Sequence, residues 1–204
     1  MEDENMFFSK YRAVISRLFG AFLLLLILCS HRCLEDASAV ADILFFAGAV
    51  MAGIATIGRL WCSMYISGYK DNCLIQSGPY SICRHPLYFF SLLGAVGLGM
   101  ATETVTVPAI IILGFVLYYP QVINYEETNL RRTHGKEFED YCQRTPMFFP
   151  SFSLLQEPKE YVVNIDLFRT PLRNSLWFIW GLGLLELVEA LQEVKVLPSL
   201  LNLY

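Results

Sequence analysis

Long apolar runs alternate with two polar stretches along the chain. A bilayer core needs roughly 20 largely apolar residues as a helix. Four runs approach that length: about 13–30, 40–61, 86–102 (opened by Pro86) and 106–124. A fifth, about 174–191, contains Glu186 and Glu189, so it is read either as a span or as a helix lying partly on the membrane. The pattern predicts an all-α, multi-pass transmembrane helical bundle of about five spans. The short link at Thr102, Glu103 and Thr104 makes the third and fourth runs an antiparallel hairpin. Gly48, Ala49 and Gly53 in the second run, with Gly94, Ala95 and Gly99 in the third, would let helices approach closely. Residues 126–144 read as one surface helix, with Leu130, His134, Phe138 and Tyr141 or Cys142 on a stripe. The aromatic run from Pro146 to Phe152 breaks that helix at interface level. The stretch 153–173 reads as a polar connection without an element.

Composition strengthens the membrane reading. Hydrophobic residues make up 55% and charged residues 17%, against roughly 45–50% and 25% in soluble domains. The net charge of −4 and the lack of a basic block give no sign of nucleic acid. The six cysteines form no CxxC pair and no zinc spacing with the three histidines. They are expected as unpaired thiols, with no metal bound. The N-terminus turns from acidic to basic to apolar without a convincing cleavage site, and it reads as a retained helix. With that terminus cytosolic, 13 of the 15 Lys and Arg residues fall on the inner side, a strong positive-inside signal. Both long polar segments then share one face of the membrane.

One polar segment ends in Arg84, His85, Pro86, Leu87 and Tyr88 at the mouth of the third run. About forty residues later, Tyr125, Glu126 and Glu127 stand at the end of the fourth. The hairpin therefore predicts a patch of Tyr80, Arg84, His85, Tyr88, Glu126 and Glu127, at a helix start where backbone amides face a docking group. Singly, each has an ordinary reading. Pro86 starts a helix, Arg84 and Tyr88 anchor at the interface, Gly78 and Pro79 make a turn, and the glutamates face water. Gathered near the membrane plane, ionisable residues are costly and mark a site.

The pattern resembles the isoprenylcysteine carboxyl methyltransferase family and its relatives, the phospholipid N-methyltransferases. Gly78-Pro79-Tyr80, Arg84-His85-Pro86-Leu87-Tyr88, Glu126-Glu127 with Leu130, Gly135 with Phe138 and Tyr141, and Arg144-Thr145-Pro146 carry the resemblance. It implies a single membrane methyltransferase domain over 1–204 with its catalytic half at about 68–150. It implies S-adenosylmethionine as cofactor, in a cytosolic pocket lined by Asn72, Cys73, Leu74, Ile75, Tyr80, His85, Pro86, Leu87, Tyr88 and Glu126. The acceptor it implies is lipophilic, a prenylcysteine or a phospholipid, arriving from the bilayer. Facing aromatics such as Tyr80 and Tyr88 would hold a sulfonium through their ring faces, and Glu126 would take the donor's amino or ribose groups. Arg84, His85 and Glu127 are the candidate catalytic residues, His85 and Glu127 as the nearest bases for an amine acceptor. No covalent enzyme intermediate is expected.

The chain departs from the family at one place. The carboxyl methyltransferases carry an acceptor-binding arginine four residues before the first glutamate, and here that position is Val122. A protein-S-isoprenylcysteine carboxyl O-methyltransferase-like activity is the leading expectation, with phospholipid (ethanolamine) N-methylation as the alternative. Two other classes stay open on sequence: an NADPH-dependent sterol-reductase-like protein and a non-enzymatic membrane protein. The membrane would be the inner one in a bacterium and the endoplasmic reticulum in a eukaryote.

Overall fold

The structure is a computed structural model and describes residues 38–67 and 73–194, with short stretches at 18, 20–22, 30–32 and 201–203. Helix α1 spans Ser38–Ile66, α2 Pro79–Ile82, α3 Pro86–Met100 and α4 Thr106–His134. Helix α5 spans Lys136–Arg144, α6 Ile165–Ser175 and α7 Trp177–Glu193. A single 3-10 turn covers Phe152–Leu154. Strand β1 (Ser30–Arg32) pairs in parallel with β2 (Leu201–Leu203), Ser30 opposite Leu201. This small ribbon is an addition to the all-α expectation. It sets the end of the first apolar run beside the chain's last residues.

Among the described residues, three stretches are long and apolar enough to cross a membrane: Ala39–Ile66, Thr106–His134 and Ile165–Gln192. The predicted span at 13–30 lies largely outside the described residues. The predicted span at 86–102 is α3, whose 15 residues rise about 22 Å, short of a core of roughly 30 Å. Both α1 and α4 have 29 residues, about 43 Å each, and so project beyond such a core. Outward-facing α1 residues Ile43, Phe46, Val50, Ile54 and Ile57 are exposed. Their helical spacing makes one apolar stripe, as lipid contact requires.

Two sequence expectations are corrected. The surface helix at 126–144 is the last turns of α4 followed by a separate α5. The break falls at Gly135, whose φ of 50° is open to glycine at little cost. The featureless stretch 153–173 contains α6. Asn164 caps it by accepting from the Leu167 amide at 3.2 Å, and Pro171 sits inside it, where a sequence reading takes proline as a breaker.

The bundle is built on the crossing of α1 and α3. A Cβ on Gly48 would run into the Gly97 carbonyl, and a Cβ on Gly97 would lie 2.7 Å from the Gly48 oxygen. Ala52 and Ala55 are fully buried on the same stripe. Without a hydrophobic drive between helices in lipid, such backbone contact supplies the packing energy. Gly53, expected in this contact, has nothing within 4 Å of its Cβ position. The contact stripe is 48, 52 and 55, which leaves 53 to one side. Gly94 meets Phe178 of α7 and Gly99 meets Ile111 of α4.

Gly97→Val is expected to destabilise the fold by about 1–3 kcal/mol through overpacking. Gly53→Ala, with open space at its Cβ position, should instead be neutral or stabilise by up to about 1 kcal/mol. Thermal unfolding in detergent compares the two.

Candidate functional site

The chain reaches the site through a tight turn. Gly78, at φ 60°, leaves no room for a Cβ against the Tyr65 ring, and α2 follows at once. Its end is tied to the segment after α5 by three backbone bonds. The Arg84 amide donates to the Pro146 carbonyl at 2.9 Å, the His85 amide to Met147 at 3.1 Å, and the Ser151 amide to Ile82 at 2.9 Å. The amides of Arg84 and His85, just before the helix, are thus committed to residues 146–147. The Tyr141 hydroxyl adds a bond of 2.6 Å to the Tyr80 carbonyl. Pro86 then opens α3 and is fully buried.

Here the start of α3 meets the far end of α4. One Glu127 oxygen lies 3.2 Å from Arg84 Nε and 3.1 Å from His85 Nε2. Glu126 accepts from the Tyr88 hydroxyl at 2.6 Å, and its other oxygen stands 3.9 Å from His85 Nδ1. The glutamates differ in exposure, 13% for the Glu127 side chain against 33% for Glu126. Glu127 therefore joins the protein to itself, and Glu126 is the more exposed of the two. His85 is buried and stacks on Tyr88 at 5.9 Å. Tyr88 meets the edge of Tyr119, and Tyr119 stacks on Phe115 at 4.0 Å.

All six residues of the predicted patch are drawn to this end of the hairpin. Burial pushes the Tyr80 phenol well above its ordinary value, with Cys62, Tyr141 and Glu126 adding to the effect, so Tyr80 sits near Glu126 as a neutral group. Burial likewise pushes the Cys83 thiol up to about 12, which leaves no thiolate as a nucleophile. Leu74, Ile75 and Leu87 are half-buried around the turn and Cys73 is exposed. Asn72 lies outside the described residues. Among the described residues no group of His, Cys, Asp and Glu could hold a metal ion.

Several neighbours were not singled out from sequence. Phe148 packs on Phe89 and Phe115, which joins the aromatic run after α5 to the hairpin. Gln76 donates to Glu137 at 2.8 Å and accepts from Arg144. Arg59 of α1 reaches Ser91 of α3, and a lone arginine inside an apolar run was the available signal. An open groove of ≈ 490 Å³ is lined by Val105, Thr106, Ala109, Ile110 and Leu113. Its lining residues lie about 20–30 Å along α4 from Glu126 and include no ionisable group.

Glu127→Gln is expected to cost about 1.5–3 kcal/mol, since His85 loses a hydrogen bond to a carboxylate and the Arg84 guanidinium loses its ion-pair partner. Glu126→Gln should cost less because its side chain is more open. Thermal unfolding of both variants in the same detergent measures the difference.

The family model for phospholipid methyltransferase matches residues 37–137. The nickel-cobalt-cadmium resistance protein NccN of Alcaligenes xylosoxydans xylosoxydans is 39% identical over 96% of this chain and 91% of its own length. The cobalt-zinc-cadmium resistance protein CzcN of Cupriavidus metallidurans is 38% identical over 97% and 90%. A probable protein-S-isoprenylcysteine O-methyltransferase of Oryza sativa subsp. indica is 31% identical over 55% of this chain and 61% of its own. No solved structure matches the chain. The matched stretch carries α1 to α4, the His-Pro turn and both glutamates, and the chain belongs to the phospholipid methyltransferase and isoprenylcysteine methyltransferase family of membrane methyltransferases.

Proposed function

We propose that the chain transfers a methyl group from S-adenosylmethionine to a lipophilic acceptor, as a protein-S-isoprenylcysteine carboxyl O-methyltransferase-like enzyme with one domain over its length. The observation that carries this is the joint of Arg84, His85 and Glu127 beside the more open Tyr88 and Glu126. The donor set fits the cofactor. Ring faces suit its sulfonium, and a carboxylate suits its ammonium or ribose hydroxyls. Tyr80, Tyr88 and Glu126 would hold it, with Cys73, Leu74, Ile75 and Leu87 around the turn. The donor supplies a methyl carbon on a cationic sulfur. Its transfer to a carboxylate oxygen would form a C–O bond as the C–S bond broke, giving a neutral ester and a neutral thioether, so that no residue of the chain would have to move a proton. Glu127 keeps Arg84 and His85 in place, and the aromatic wall of Tyr88, Tyr119 and Phe115 excludes water. In-line positioning contributes up to about 7–11 kcal/mol in well-oriented systems.

The polar end would face the cytosol with the N-terminus on the same side, which the distribution of Lys and Arg supports. A second reading, methylation of a phospholipid amine, is favoured by one observation. α4 has no arginine before Arg131, and Val122 is fully buried. An amine would give its proton to His85 or Glu127. The relatives named for metal resistance, matched over nearly their whole length, support a role for this methylation in tolerance to divalent transition metals.

Calorimetry should show binding of S-adenosylmethionine and not of NADPH. Glu126→Gln is expected to weaken it about tenfold, the effect of one charge-assisted bond. Binding of NADPH alone, or an unchanged affinity in Glu126→Gln together with His85→Ala, would contradict this site.

Expression in a bacterium deleted for its own copy should raise the nickel, cobalt or cadmium concentration that stops growth. The Glu126→Gln variant should not. An equal rise with both would separate tolerance from methyl transfer.

A further inference from the structure

Within α1 one cation sits inside the apolar length, Arg59, seven residues before the helix ends at Ile66. Seven residues rise about 10 Å, which sets Arg59 near the level where a lipid headgroup meets its chains. The side chain leaves α1 for its neighbours. Its Nη1 donates to Ser91 of α3, and its Cζ lies 5.6 Å from the Phe178 ring of α7. Phe178 also covers Gly94 of α3, so the ring closes one side of the space. Arg59 Nε is buried with no hydrogen-bond partner. No carboxylate among the described residues forms an ion pair with Arg59.

A charge in an apolar bundle is costly, and such residues mark sites. One hydroxyl and one ring face compensate a guanidinium only in part, and its fork of donors matches a carboxylate or phosphate. The position matters as much as the charge. Ser91 follows Tyr88 by three residues on α3, so Arg59 meets the face that carries Tyr88 about one turn deeper. Tyr88 is the residue bonded to Glu126. Neither α3 nor the part of α4 before Arg131 contains a cation of its own.

We propose that Arg59, supported by Ser91 and Phe178, is the acceptor's anion-binding residue: it receives the carboxylate or phosphate of a lipid-tailed acceptor entering between α1, α3 and α7. The cation that α4 lacks at Val122 thus comes from a different helix. The proposal rests on the methyl-transfer reading for the acceptor's identity, though not for the anion site itself.

The test is equilibrium binding to the purified full chain in micelles. The probes are N-acetyl-S-farnesylcysteine, its neutral carboxamide, and short-chain phosphatidylethanolamine. Arg59→Gln should weaken the carboxylate probe or the phospholipid about tenfold or more, and leave the carboxamide unchanged. Arg59→Lys should recover part of the loss, because charge returns without the fork. Dependence confined to the farnesylcysteine assigns a carboxylate, and dependence confined to the phospholipid assigns a phosphate. Calorimetric binding of S-adenosylmethionine should be unaltered in both variants, which also shows that they fold. Should Arg59→Gln not fold, Arg59→Lys and Ser91→Ala decide in its place, each expected to weaken the anionic probe about threefold. Equal affinity of wild type and variants for the anionic probes, or an equal loss for the carboxamide, overturns the proposal. If wild type binds the anions through Arg59 but binds no S-adenosylmethionine, the anion site stands and the methyl-transfer reading fails.

Discussion

The carboxylate of Glu127 joins two places 42 residues apart in the chain. One oxygen is hydrogen-bonded to His85 and ion-paired with Arg84, all three side chains being largely removed from water. In such surroundings an anion and its donors hold each other firmly, and loss of any one leaves the others with an unmet charge. Because Nε2 meets an anion, it is assigned as the donor. Nδ1 is thereby turned toward Glu126. The same contact holds the start of α3 against the end of α4, where Tyr88 and Glu126 meet.

Two other features make that joint rigid. At the glycine crossing, α1 and α3 are in backbone contact, so neither slides past the other without opening a void. At the polar end, residues after α5 run back along the entry to α3 and take its amides. Farther on, the Gln156 and Gly78 backbones bond at 2.8 Å, Trp61 donates to Glu157 at 3.1 Å, and Tyr161 donates to the Tyr65 carbonyl. The polar connection is therefore a strap across the ends of α1 and α3, and α6 follows it. A site on such a frame keeps its geometry while one side remains open to lipid.

The chemistry divides by depth. Carboxylates and tyrosines collect where α4 has risen past its apolar length, within reach of a water-soluble group. About one turn deeper the polar side chains are Arg59 and Ser91, beside exposed apolar helix faces. The proposed reaction between a soluble cation and a greasy acceptor needs both surroundings close together, and a short α3 between two long helices would supply them. Its start lies at the polar end while its small-residue face lies in the bundle.

Much of this was legible in the chain itself. Apolar length alone marked α1, α4 and α7, because nothing but a helix satisfies its own backbone in lipid. The short Thr102–Thr104 link made α3 and α4 a hairpin, and with it the meeting of His85 and Glu127. Other features were hidden, one by a local backbone conformation and the rest because they depend on partners far away in sequence. Gly135 divides a stretch whose apolar spacing is continuous, since a positive φ leaves no mark on periodicity. The start of the stretch 153–173 looks featureless because, beyond the short turn at Phe152–Leu154, its bonds go to residues near 61, 65, 78 and 81. The difference between Glu126 and Glu127, identical neighbours in sequence, arises only when α3 packs: one turns to Arg84 and His85, the other to Tyr88. Sequence determined which segments are helices in a membrane, because hydrophobic length is a local property. The packing decided which polar groups are joined and which stay open, because a buried charge must find its partner in space.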